Sequence, residues 1–212
     1  MINRDIAALG AGFNNEALES QSVFRAVQLA LAHPGRLVDI IHAAKVPSRG
    51  HSASAAFFLG MLDADCTLWM SPALVSSDAA LWLHFHTGCK IVNDVTLAQF
   101  VWVAAGDAMP VLSSLAQGSA AYPDQSATCV LDVIALNTGA LNEHTWIMQG
   151  PGIQTKTYLD IQGMASDFVR QWADNHTRFP RGVDIFLAAQ HQLAGLPRTT
   201  TLSLNEGNKV CT

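Results

Sequence analysis

Thr128-Cys129-Val130-Leu131-Asp132-Val133-Ile134-Ala135-Leu136 is nearly continuous in apolar character, with no alternation of polar positions. A strand that wets one face alternates, whereas a strand covered on both faces reads as an unbroken apolar run. The segment therefore predicts an interior strand with a layer packed on each side. Val183 to Ala189 repeats the pattern and predicts a second such strand, with Gln192 to Leu196 as its short partner. Thr145 to Gln149 is expected to pair back on the first run as a hairpin across Asn137-Thr138-Gly139. Gly150-Pro151-Gly152 then forces a turn.

Helical signals alternate with these strands. Ser20 to Ala32 places Val23, Val27 and Leu31 at i, i+4 and i+8, an amphipathic helix stopped by His33-Pro34-Gly35. Arg36 to Ile41 reads as a strand, Ala53 to Leu62 as a small-residue helix, and Thr67 to Met70 as a short strand closed by Ser71-Pro72. Ser76 or Ser77 can cap a helix over Asp78 to Phe85. Lys90 to Val92 and Phe100 to Ala105 are strand-like, and Gly118 to Gln125 is a turn-rich loop. Gln162 to His176 is the strongest helix, with Met164, Phe168 and Trp172 on one stripe. The interleaving predicts an α/β fold: a mixed β-sheet with helices on both faces, in one domain. Its expected limits are 19–204, with an N-terminal arm over 1–18 and a polar C-terminal tail over 205–212.

Composition narrows the function classes. Of 212 residues, half are hydrophobic and only 14% are charged, against roughly 25% in ordinary globular proteins. Such a chain buries enough apolar surface to exclude intrinsic disorder. Its low charge points to a surface partly covered by partner subunits. Twelve basic against 17 acidic residues give a net charge of -5, which argues against nucleic-acid binding through counterion release. No 18-residue apolar run exists to span a membrane. The opening Met1-Ile2-Asn3-Arg4-Asp5 lacks the apolar core of a signal peptide. Cys66, Cys89, Cys129 and Cys211 show no metal or iron–sulfur spacing and read as reduced residues, so a cytoplasmic location is expected.

Local chemistry is sparse. His84-Phe85-His86 is a tempting half of a metal site, but on a helix positions i and i+2 point apart, and no further ligand is near in sequence. Gly150-Pro151-Gly152 lacks the order of a phosphate loop, and no Gly-x-Ser-x-Gly elbow exists. No catalytic set and no metal site is expected. Arg25, Arg181 and Arg198, with Thr199 and Thr200, are candidates for phosphate or phosphonate binding, since a planar guanidinium beside hydroxyls suits such oxyanions. A structural reading competes: Arg181 or Arg198 pairs with Asp184, an acid inside an otherwise apolar strand. Asp132 raises the same problem without an evident partner.

The same segments carry a resemblance. Gln21-Ser22-Val23-Phe24-Arg25, His33-Pro34-Gly35-Arg36, Trp82-Leu83-His84-Phe85-His86-Thr87-Gly88 and Tyr122-Pro123-Asp124-Gln125-Ser126-Ala127-Thr128 stand in the order of the PhnH subunit family of bacterial carbon–phosphorus lyase. Gly150-Pro151-Gly152-Ile153, Phe179-Pro180-Arg181-Gly182-Val183-Asp184 and Gly195-Leu196-Pro197-Arg198-Thr199-Thr200 complete it. Glu19, where the family usually has Asp, and Cys89-Lys90, where it often has Ala-Pro, depart from the pattern.

The resemblance implies a non-autonomous subunit acting with PhnG-, PhnI-, PhnJ- and PhnL-type partners in phosphonate catabolism. It would take part in forming ribose 1-methylphosphonate 5-triphosphate from ATP and methylphosphonate, and would form a homodimer when isolated. It also implies a fold resembling a reduced pyridoxal-phosphate-dependent transferase domain. A Schiff base needs a lysine, and Lys45, Lys90, Lys156 and Lys209 all lie outside the family motifs, so no cofactor is expected. The alternative role is a structural scaffold with no ligand site.

Overall fold

The computed structural model describes residues 9–139 and 141–205. Its strands are β1 (Val38–Asp39), β2 (Thr67–Met70), β3 (Lys90–Ile91), β4 (Phe100–Val103), β5 (Thr128–Asp132), β6 (Ala135–Asn137), β7 (Thr145–Gln149), β8 (Thr157–Gln162), β9 (Asp184–Ala189), β10 (Gln192–Leu196) and β11 (Thr201–Leu204). Helices α1 (Glu16–Ala32), α2 (Ser52–Met61), α3 (Pro72–Val75), α4 (Ala79–Thr87) and α5 (Phe168–His176) complete it. Seven strands form one mixed sheet in the order β1-β10-β9-β5-β4-β2-β3. β9, β5, β4, β2 and β3 run parallel, while β10 and β1 are antiparallel to their neighbours.

Burial on both faces explains the apolar runs. Val130 of β5 faces one core with Trp102, Phe186 and Ala188, beneath α1, α2 and α4. Cys129 and Leu131 face the other core with Val101, Val103, Ile185 and Leu187. That second face is covered by α5 together with a four-stranded sheet, β11-β7-β8-β6. There Trp146 stacks on Phe168 at a centroid distance of 5.0 Å, and Phe168 on Trp172 at 6.2 Å. On the first face α1 lies so close to β10 that a Cβ at Gly195 would collide with the Ala30 carbonyl.

Several expectations need correction. Thr128 to Leu136 is not one strand: β5 ends at Asp132, and Ala135–Asn137 passes to the smaller sheet as β6. Ile134 between them is 66% exposed. The expected hairpin does not form, because β7 pairs with β8 and β11 while β6 pairs with β8. The helix expected from Gln162 begins at Phe168. The chain before it, Thr157–Gln162, is strand β8 and stops at Gly163, whose φ of +96° suits glycine. Arg36 to Ile41 contracts to the two residues of β1. The first helix opens at Glu16, with Asn15 accepting from the Leu18 N–H as its cap. Asn205, expected in the tail, donates its N–H to the Thr145 carbonyl at 2.9 Å. Cys211 and Lys209 lie outside the described residues.

Candidate functional site

The five sequence candidates have different fates. Arg198 follows β10 and reaches the amino ends of β5 and β9. Its Nε donates to Asp184 Oδ1 at 3.1 Å and its Nη2 to Asp184 Oδ2 at 2.6 Å. Nη2 also donates to Ser126 Oγ at 2.5 Å. Nη1 donates to the carbonyls of Pro123 at 3.0 Å and Pro180 at 3.2 Å. These contacts match the five N–H donors of a guanidinium. Three motif segments, around Pro123, Pro180 and Arg198 itself, are thereby tied into one clamp. The side chains are only 12% and 24% exposed for Arg198 and Asp184. The geometry favours the ion-pair reading of Arg198 over a free oxyanion fork.

Thr199 and Thr200 extend the same framework. The Thr200 N–H donates to the Pro197 carbonyl at 2.8 Å, and its carbonyl accepts from Trp172 Nε1 at 2.7 Å. The Thr200 hydroxyl is buried without a hydrogen-bond partner among the described residues. Half-buried Thr199 packs against Gly150, where a Cβ would stand 2.9 Å from the Thr199 carbonyl oxygen. Arg181 is exposed on the loop that carries Pro180, next to the clamp. Arg25 is exposed on α1, and no hydrogen bond or ion pair joins it to the clamp among the described residues. Arg198, Thr199 and Thr200 thus belong to the clamp framework, with Arg181 on the adjoining loop.

Both histidines of His84-Phe85-His86 face backbone carbonyls: His84 Nδ1 that of Cys89 at 2.8 Å, His86 Nε2 that of Gly10 at 2.9 Å. Among the described residues no group of three metal-ligating side chains comes together.

A second cluster, at the carboxyl end of β5, was only half visible in the sequence. Asp132 is 5% exposed. Its Oδ1 accepts a short hydrogen bond from the Ser54 hydroxyl. Its Oδ2 accepts from the His51 N–H at 3.1 Å and from Trp102 Nε1 at 3.2 Å. Burial pushes the Asp132 carboxyl up, opposed by the Ser54 hydroxyl, by His51 and by Trp102. His51 Nε2 meets the Val133 carbonyl at 2.8 Å. His42 Nε2 lies 2.7 Å from Ser52 Oγ at the start of α2, and burial pulls the His42 imidazole down. The sequence marked Asp132 as needing a partner. Its partners come from α2 and β4, so no local spacing could name them.

Among the cavities at this edge are one of about 90 Å³ beside Gly106, Asp107, Asp132 and Met164, and one of about 390 Å³ between Ile134–Asn137 and Ala189–Gln192. Open parallel sheets place their ligands at such carboxyl ends. Lys45, Lys90 and Lys156 are exposed, and none lines either cavity. The described residues offer no Schiff-base amine here and do not fit pyridoxal phosphate.

Fold and site define a mixed α/β protein in which an arginine clamp braces the amino ends of the parallel strands and a buried acid marks their carboxyl ends. A family model described as "Bacterial phosphonate metabolism protein (PhnH)" matches residues 11–203. The chain belongs to that family. It is 37% identical over 190 residues to the alpha-D-ribose 1-methylphosphonate 5-triphosphate synthase subunit PhnH of Rhizobium meliloti (strain 1021), covering 90% of this chain and 93% of the relative. It is 30% identical over 189 residues to the putative C-P lyase subunit protein HtxG of Stutzerimonas stutzeri, covering 89% and 88%.

Proposed function

We propose that this chain is a non-autonomous subunit of a carbon–phosphorus lyase system, contributing to the formation of ribose 1-methylphosphonate 5-triphosphate from ATP and methylphosphonate. The observation that carries the reading is 37% identity along 93% of a subunit of that synthase. Its partners in this reading are PhnG-, PhnI-, PhnJ- and PhnL-type subunits, with a homodimer when it is alone, in the cytoplasm. Residues 19–204 act as one α/β unit. The isolated chain is inactive.

The scaffold alternative gains from Arg198, whose donors are taken up by Asp184, Ser126 and two carbonyls. A ligand role then falls to the exposed Arg25 and Arg181 rather than to Arg198. Reconstitution tests the proposal: purified partner subunits are mixed with ATP and methylphosphonate, with and without this chain, and adenine release is followed. Adenine release that needs this chain supports the reading, and unchanged release in its absence contradicts it. Arg25→Ala and Arg181→Ala then separate the two roles. Assembly kept with activity lost assigns a ligand contact; both kept assigns a scaffold.

A further inference from the structure

The larger sheet brings two of the scattered cysteines together. β2 and β3 pair in parallel with Thr67 opposite Lys90. Cys66 and Cys89 immediately precede those partners, and the Lys90 N–H donates to the Cys66 carbonyl at 2.9 Å. The two cysteines are therefore in-register neighbours at the amino end of the same strand pair. Neighbouring strands lie about 4.8 Å apart, inside the Cα separation of about 4.4–6.8 Å that a disulfide spans. Each stands one residue before its strand, and Cys66 packs against the core that contains Cys89.

We propose that Cys66 and Cys89 form a peroxide-responsive dithiol pair that closes to a disulfide, pinning the edge strand β3 to β2. Cys66 is half-buried and Cys89 fully buried, so Cys66 is the entry point for the oxidant. The Cys66 thiolate attacks hydrogen peroxide. The O–O bond breaks, the sulfur loses two electrons to give the sulfenic acid, and the hydroxide released is protonated to water. The Cys89 sulfur then attacks the Cys66 sulfur. The S–S bond forms, the S–O bond breaks, and the departing hydroxide takes the Cys89 proton as a second water. The sum is two thiols and one peroxide giving one disulfide and two waters, reversed by a thiol reductant.

Local structure supports closure. Gly88, at φ +74°, leads directly into Cys89, and β3 is an edge strand of two residues. The small approach of the two Cβ atoms that a disulfide needs thus falls at the edge of the sheet. Burial pushes both thiols up; beside Cys66 the Asp63 carboxylate adds to that rise, against a lowering backbone hydrogen bond at Asp63, while at Cys89 burial outweighs the hydrogen bond with Thr87. Little thiolate is therefore present at neutral pH, so closure by peroxide is slow there and quickens as pH rises. Cys129 sits on the opposite face of the sheet, in the other core, and takes no part.

The test uses the full chain in a Cys211→Ser background, treated with hydrogen peroxide and digested without reductant for mass spectrometry. The expected result is a digestion product in which Cys66 and Cys89 are joined, two hydrogens lighter in total than its reduced form and restored by dithiothreitol. Cys66→Ser alters the half-exposed member, spares the core, and should leave Cys89 as a free thiol. Cys66 advancing to the sulfinic acid with no linked peptide would overturn the proposal, as would linkage to Cys129 instead.

Discussion

Removing the Arg198 side chain is the sharpest structural perturbation available. Arg198→Ala deletes the donors to both oxygens of Asp184, to Ser126 Oγ, and to the carbonyls of Pro123 and Pro180. Breaking a buried pair by deleting one partner costs about 3–5 kcal/mol, because the other charge is stranded. Asp184 is 24% exposed and keeps the Arg198 backbone N–H at 2.8 Å, which puts the expectation at the lower end, about 3 kcal/mol. With a urea slope of about 3 kcal/mol/M, the unfolding midpoint falls by about 1 M. Asp184→Asn removes the stranded charge, so in the Arg198→Ala background it should recover about 1 kcal/mol. Urea unfolding of the wild type, both single variants and the double variant closes the cycle. Effects that add within about 0.5 kcal/mol would refute the clamp, since uncoupled sites behave that way.

Other outcomes follow from particular contacts. Asp132 has a folded pKa above its unfolded value, so its contribution is full below the unfolded pKa of about 3.9 and is lost as pH rises through the folded value. The stability of the wild type relative to Asp132→Asn should therefore fall as pH rises above about 4, and a pH-independent difference in chemical denaturation would contradict the buried acid. Gly195→Ala should cost about 2 kcal/mol by driving a methyl group into the Ala30 carbonyl; an unchanged thermal midpoint would show that α1 does not lie so close. Trp172→Phe leaves the Thr200 carbonyl without its donor and should cost about 2 kcal/mol, read as a lower urea midpoint.

How far the sequence reaches depends on where each signal resides. β5 and β9 were legible because both of their faces are covered, and that burial is written into consecutive apolar residues. β8 was not, because Thr157–Gln162 owes its strand state to pairing with β6 and, across the Gly150-Pro151-Gly152 turn, with β7. Met164, Phe168 and Trp172 do share a four-residue period, yet Met164 precedes α5 and only the latter two lie on the helix. Asp184 announced a need for a partner, and Arg198, 14 positions away, met it. Asp132 announced the same need, but Ser54 lies 78 positions away and is reached only through α2 packing on the sheet. The break at Val133-Ile134 was invisible for a related reason: apolar residues continue while the chain changes sheets.

The most direct measurement of the functional account is adenine release from ATP and methylphosphonate by the reconstituted partner subunits, with this chain added or withheld. The account predicts release with the complete set, none from this chain alone, and loss of release when this chain is omitted. Release by the isolated chain, or undiminished release without it, would contradict the account.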